Sequence, residues 1–167
     1  MRALALGLVA ASGFAAAAPT YVLQADHRAG PVVLARSTLP QASAALGRPG
    51  VVRRHGSTCS ASWRALGLAA QFVVIGADPR DPCKAGVGVV VTLTSRARWR
   101  TARGLRVGDA AARARRLYPR AVRHGSSLWL VTRHACSEVG GAAYPGLLAQ
   151  LRAGRVAALV ATAGICD

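Results

Sequence analysis

The chain has 167 residues, of which 22 are Lys or Arg and 6 are Asp or Glu, so its formal net charge is +16. Apolar residues make up 52% and charged residues 17%, so the basic excess is not that of a disordered tail. The length suits one domain or two very small ones, and it excludes an α/β barrel and a two-domain nucleotide enzyme.

The first 18 residues are typical of a secretory signal peptide. Arg2 supplies the positive end, no charge follows up to Phe14, and four alanines come next. We expect cleavage after Ala17 or Ala18, which places the protein outside the cytoplasm, either secreted or in the periplasm or cell-envelope exterior. A retained anchor is the alternative, but this mostly small-residue run ends at Pro19 and is at the lower limit of a membrane span. No later segment is long and apolar enough to span a membrane.

A first helix-plus-sheet unit is predicted over residues 37–101. The leader before it, 19–36, is either a linker or a first strand. Ser37 or Thr38 can cap a short helix that ends at Gly47. Strand-like segments follow at 58–65, 68–75, 87–94 and 95–101.

A second unit is predicted over residues 102–167. Asp109 is a suitable N-cap for a helix that ends at Tyr118-Pro119. Strands are predicted at 127–133, 147–152 and 155–162, the last two joined by a hairpin turn at Ala153-Gly154.

The two units share one short motif. Arg-His-Gly-Ser occurs at 54–57 and again at 123–126, in each case after a predicted helix and before predicted strands. This order favours a tandem repeat of a short helix plus an antiparallel sheet. The cysteines do not align in this register, because Cys59 would match Leu128. The predicted fold class is α+β, stabilised by disulfides.

The entry to the second helix resembles that of a known class of exported modules. The segment Gly104-Leu105-Arg106-Val107-Gly108-Asp109 is similar to the Gly-Leu-x-Val-Gly-Asp entry of small modules of the β-lactamase inhibitor protein and outer-membrane assembly lipoprotein type. The resemblance implies a short helix packed on an antiparallel sheet, with repeats joined into a longer concave sheet. It also implies binding to other macromolecules. It assigns no binding residue, because only the entry motif matches.

Four cysteines predict two disulfides in an exported chain. Three pairings are compatible with the sequence, and we favour Cys59–Cys83 with Cys136–Cys166, since each then closes a loop of a few tens of residues. A metal site with His134 beside Cys136 is the alternative. The thiols are scattered and form no Cys-x-x-Cys pair, so we expect no metal.

Candidate catalytic groups are few, and we expect no enzyme activity and no cofactor. The only closely spaced carboxylates, Asp78 and Asp81, flank prolines in a loop and are typical of a turn. Each His-Gly-Ser sequence lacks a nearby acidic residue to orient the imidazole. The segment Gly86-Val87-Gly88 lacks the third glycine of a phosphate-binding loop and favours a bulge or close packing.

An arginine run supplies the candidate polyanion-binding residues. Arg96, Arg98 and Arg100 alternate with Ala97 and Trp99, so on a strand they would share one face. Two further arginines extend the predicted site, at Arg103 and Arg106. The alternative is a solvated face in a chain that uses arginine in place of lysine, with 21 Arg and one Lys.

The tryptophans Trp63, Trp99 and Trp129 are predicted to lie in the core or half-buried, with ligand stacking as the alternative. Taken together, these features predict a secreted, basic, non-catalytic binding module. Its partner would be a protein or an anionic envelope or extracellular ligand, and no specific nucleic acid. A small secreted hydrolase is the alternative.

Overall fold

The computed structural model describes residues 21–25, 28–74, 80–84, 88–96, 99–134 and 143–164. The fold is α+β and consists mostly of strands. Among these residues, the helices are α1 (Leu39–Leu46) and α2 (Ala111–Leu117), and a 3₁₀ turn covers Arg64–Leu66. The strands are β1 (Tyr21–Gln24), β2 (Arg28–Ala29), β3 (Val32–Val33), β4 (Val51–His55), β5 (Thr58–Trp63), β6 (Leu68–Val73), β7 (Val89–Ser95), β8 (Trp99–Thr101), β9 (Val122–His124), β10 (Ser127–His134), β11 (Ala143–Arg152) and β12 (Arg155–Thr162).

Eight strands form a fully antiparallel sheet in the order β4-β5-β6-β7-β12-β11-β10-β9. α1 precedes the four strands β4–β7, and α2 precedes the four strands β9–β12. The two groups of four meet at the central pair β7–β12. The remaining four strands form a smaller sheet in the order β3-β2-β1-β8, in which β1 and β8 run parallel.

The helix ends follow local capping chemistry. The backbone N–H of Thr38 donates to Gln41 Oε1 at 2.9 Å, and Gly47 with φ +86° ends α1, as predicted. The prediction that Asp109 is the N-cap of α2 is wrong, because Ala110 holds that position. The Asp109 carboxylate instead accepts the N–H of Arg106 at 2.9 Å, which closes the turn before the helix.

The core lies on one face of the larger sheet. Leu23 of β1 and Val32 of β3 join Ala42 of α1 and Ala114 of α2 in one buried cluster with the inward side chains of the larger sheet. In β5 and β6 every second residue is buried, because successive strand side chains point to opposite faces. Those buried side chains include Phe72. This alternation leaves the opposite face of the larger sheet outside the core.

The described residues of the leader form strands of the fold, so the leader supplies a first strand and is not a linker. β1 pairs with β8, and the ring of Tyr21 stacks on Trp99 with 4.7 Å between centroids. The continuous strand predicted over 95–101 is wrong. Strand β7 of the larger sheet ends at Ser95, and strand β8 of the smaller sheet begins at Trp99.

The two Arg-His-Gly-Ser motifs form hairpins of the same shape. Gly56 has φ +56° between β4 and β5, and Gly125 has φ +57° between β9 and β10. In each turn the preceding arginine donates its Nε–H to the glycine carbonyl, over 3.2 Å from Arg54 and 3.1 Å from Arg123. Glycine at the first turn position with positive φ suits a two-residue hairpin loop. The hairpin predicted at 153–154 is also present, between β11 and β12.

The predicted disulfide Cys59–Cys83 is confirmed, with its Cα atoms 5.1 Å apart. It joins β5 to the segment that precedes β7. There the Asp81 carboxylate accepts the N–H of Cys83 at 2.9 Å, which is the turn role predicted for it. The predicted signal peptide at 1–18 and the predicted pair Cys136–Cys166 lie outside the described residues.

Candidate functional site

The face of the larger sheet that points away from the core is the open face. One row of residues crosses it through all eight strands in direct register. The row consists of Val51, Ser62, Ala69, Thr94, Val160, Leu148, Trp129 and Val122. Apart from Val160, its members are half-buried or exposed. The open face is therefore accessible, and the hydrogen bonds between its strands fix the positions of its side chains.

The end of the open face formed by β9, β10 and β11 is apolar and aromatic. Val122 is 50% exposed and lies opposite Trp129, which lies opposite Leu148. The imidazole of His124 stacks on the indole of Trp129, with 3.9 Å between ring centroids and 25° between planes. We call Val122, His124, Trp129 and Leu148 the aromatic patch. Unlike the other two tryptophans, which are buried, Trp129 is half-buried.

The opposite end of the open face is a groove lined by arginines and hydroxyl groups. Two shallow clefts of about 290 and 310 Å³ adjoin there and share Ser62, Arg64 and Ala69. We call the combined feature the basic groove, and its polar lining is Arg53, Ser60, Ser62, Arg64, Thr94 and Arg96. The groove crosses four strands, from β4 to the end of β7.

Local structure sets the positions of the three arginines. Arg53 lies opposite Ser60 in the β4–β5 pair. Arg64 opens the 3₁₀ turn between β5 and β6, and the backbone N–H of Arg96 donates to Gly67 O at 2.8 Å, next to that turn. Among the described residues, Asp81 forms an ion pair with Arg54, and Asp109 forms one with Arg113. The three groove arginines have no such partner in that part of the chain, and all three are exposed.

The predicted polyanion-binding arginines lie at separate locations in the structure. Arg96 follows β7 of the larger sheet, whereas Arg100 lies in β8 of the smaller sheet, so their predicted common strand face is wrong. Arg98 lies outside the described residues. Arg100 and Arg106 are neighbours across an isolated antiparallel bridge and are both exposed. Polyanion binding by these residues stays a prediction.

Arg103 belongs to a third location, a cleft of about 540 Å³ between the end of α2 and β10. Its Nη1–H donates to Leu117 O at 2.8 Å, and its guanidinium lies 5.0 Å from the ring centroid of Tyr118. Burial raises the pKa of Tyr118 above its usual value. Arg103 is thus held against the protein itself, which distinguishes it from the groove arginines.

The candidate catalytic residues occupy turns and tight packing. His55 and Ser57 flank Gly56 in the exposed β4–β5 hairpin. A Cβ on Gly88 would lie 2.5 Å from the carbonyl oxygen of Pro82, which supports close packing there. Residues 78, 86 and 87 of the predicted loops lie outside the described part. Within the described ranges, no three His, Cys, Asp or Glu side chains lie together where they could hold a metal ion.

Comparison with family models, with curated proteins and with solved structures found no match to this chain. The resemblance at residues 104–109 to small exported helix-plus-sheet modules therefore stays a prediction. Of the helices that the structure describes, none is long and apolar enough to cross a membrane.

Sequence reasoning missed two of the three groove arginines. Arg53 and Arg64 are far from Arg96 along the chain, and the pairing of β4 to β7 together with the turn at Arg64 places them in one groove. The alternation of hydroxyl-bearing and apolar residues over 58–63 is a sequence signal for the hydroxyls of the groove. No comparable signal marks Arg64, because it lies in a turn between strands.

Proposed function

We propose that the protein is an exported, non-catalytic binding module that binds another protein through the open face. The observation that carries this proposal is the open face itself, which combines the aromatic patch with the basic groove. Tryptophan and arginine are enriched among the residues that dominate protein–protein binding energy. The open face thus offers an apolar area at one end and a charged, polar area at the other, and protein interfaces contain both kinds of surface.

The partner that we propose is a protein with an acidic surface. The chain carries a net charge of +16, and the basic groove has three exposed guanidinium groups. Complementary charge speeds association and selects among partners.

We also propose that the binding surface arose from a tandem repeat. Each half of the larger sheet follows a short helix and adds four consecutive antiparallel strands. The first hairpin of each half has the same turn geometry at Gly56 and Gly125. Joining the halves at β7 and β12 doubles the width of the open face, as the resemblance to repeat-containing modules implies.

Export is the third element of the proposal. The disulfide Cys59–Cys83 is typical of an oxidising compartment, such as the periplasm or the extracellular space. The signal-like sequence of the first 18 residues supports delivery to that compartment.

The test begins with capture by the immobilised oxidised protein from the secreted and envelope proteins of its source. Each captured protein is identified, purified alone, and measured by titration calorimetry. The double variant W129A/V122A should weaken binding about 30-fold, because the dominant aromatic residue of an interface contributes about 2 kcal/mol or more. V52A is the matched control, since Val52 is 44% exposed on the edge strand β4.

A partner that binds W129A/V122A as tightly as it binds the wild type would refute binding through the open face. An equal loss in V52A would also refute it, because the loss would then reflect exposed apolar surface in general. Retained near-ultraviolet circular dichroism in each variant shows that the fold is intact.

A further inference from the structure

We propose that the basic groove binds a short extended acidic segment of the partner, with the carboxylates of Asp or Glu side chains held by Arg53, Arg64 and Arg96. This inference rests on the proposed function and adds the chemistry of one part of the partner. The aromatic patch would contact the body of that partner, and the basic groove would hold a protruding chain segment.

The length of the groove suits a short peptide. Between β4 and β7 there are three interstrand spacings of about 4.8 Å, so the groove is about 14 Å long when measured across the strands. An extended chain advances about 3.3 Å for each residue, so about four residues cover this length. The clefts are shallow and their floor includes the small side chain of Ala69, which leaves room for a backbone to lie against the sheet.

The charges are placed along the groove. Arg53 lies at the β4 end, Arg96 at the β7 end, and Arg64 lines both clefts between them. A guanidinium group offers paired N–H donors that match the two oxygens of a carboxylate. Because none of the three has an acidic partner in the described chain, they are available to an acidic ligand.

The groove floor adds hydrogen-bonding groups between the charges. The hydroxyls of Ser60, Ser62 and Thr94 are half-buried there, and each can donate and accept. Peptide N–H and C=O groups need both functions, whereas a sulfated or phosphorylated polymer offers mainly acceptors. A short groove with hydroxyls between the arginines therefore favours a peptide over a long polyanion.

The test uses a fluorescently labelled tetraglutamate peptide as the probe and its tetraglutamine counterpart as the uncharged control. Binding is measured by fluorescence polarisation with the oxidised, exported form of the protein near 0.15 M salt. The triple variant R53Q/R64Q/R96Q should weaken binding on the order of tenfold, because each exposed ion pair contributes a severalfold factor at most. The tetraglutamine peptide should bind far more weakly than the tetraglutamate peptide.

The matched control is R28Q/R100Q/R106Q, which removes the same charge from exposed positions of the smaller sheet and its neighbour. Its effect should stay within about twofold, since distant charges are screened over about 8 Å at this salt. A second variant, A69F, fills the groove without changing the charge. It should also weaken peptide binding on the order of tenfold, as steric exclusion from the floor predicts.

Equal weakening by the two triple variants would overturn the groove proposal, and so would full binding by A69F. Tighter binding of a heparin oligosaccharide than of tetraglutamate, lost in R53Q/R64Q/R96Q, would overturn the choice of a peptide. These outcomes are separable from failure of the proposed function. W129A/V122A tests the protein partner at the other end of the open face, and it leaves the basic groove unchanged.

Discussion

The three tryptophans show how much one residue type can differ in its role. Trp63 is 3% exposed and donates its indole N–H to Gly47 O at 2.6 Å, which ties β5 to the end of α1. Trp99 is 1% exposed and donates to Leu66 O at 2.8 Å. Trp129 stacks on His124 at the accessible end of the sheet. Two tryptophans therefore complete the core, and the third is available for binding.

We predict that these tryptophans differ sharply in their effect on stability. W63A should lower the free energy of unfolding by about 3–5 kcal/mol, because it empties a buried site and leaves the Gly47 carbonyl without its donor. W129A should cost about 1 kcal/mol, since it removes one ring stack on a half-buried surface. Guanidinium denaturation under oxidising conditions measures both. A cost for W129A as large as that of W63A would mean that Trp129 is a core residue.

At the scale of single elements, the sequence predicts interior strands better than edge strands. The prediction for 155–162 agrees with β12 at both ends, because that strand is long, apolar and bounded by a clear turn. β4 and β9 were missed, since Arg53, Arg54 and Arg123 make short exposed segments look like loops. An edge strand of this kind forms because it makes backbone hydrogen bonds to a neighbouring strand. The residues of the segment alone do not predict that pairing.

The disulfide Cys59–Cys83 constrains the segment between β6 and β7. It closes a loop with a sequence separation of 24 residues and fixes that loop to the buried side of β5. The ion pair between Arg54 and Asp81 lies beside it, with 3.4 Å between Nη1 and Oδ2. Both contacts hold the same loop against the first hairpin of the sheet.

We predict that the double variant C59A/C83A loses about 3 kcal/mol of stability, mainly because the unfolded chain regains the entropy of the open loop. The measurement is denaturant unfolding in the absence of reductant, compared with the wild type. R54Q is a useful control for the surface ion pair, which should contribute less than about 1 kcal/mol. If C59A/C83A unfolds at the same denaturant concentration as the wild type, the disulfide does not constrain the fold.

At the scale of the whole molecule, the candidate site was far less predictable than the fold class. Composition and spacing identified an arginine run at 96–106, and the sheet arrangement separated Arg96 from Arg100. It then placed Arg96 in one groove with Arg53 and Arg64, which precede it by more than 30 residues. Register across strands determines such neighbours, and a single sequence does not reveal register between distant strands.

The distribution of charge over the molecule leads to a prediction about generic polyanions. Exposed arginines occur on the smaller sheet, on α2 and on both edges of the larger sheet. A long polyanion therefore meets positive charge on many sides. We expect binding to a short DNA duplex to be non-specific and to depend on total charge. The slope of log K against log salt concentration should fall by about 0.9 for each phosphate contact that is lost.

The comparison that decides this uses two triple variants, R96Q/R98Q/R100Q and R28Q/R36Q/R48Q. Because Arg96 and Arg100 lie on different sheets, the first triple has no common face, and both variants should reduce the salt slope equally. Stability should change by less than about 0.5 kcal/mol for each exposed substitution. A clearly larger reduction for R96Q/R98Q/R100Q would mean that the arginine run acts as one polyanion site. The equal reduction that we expect would assign DNA binding to the net charge of the molecule rather than to the arginine run.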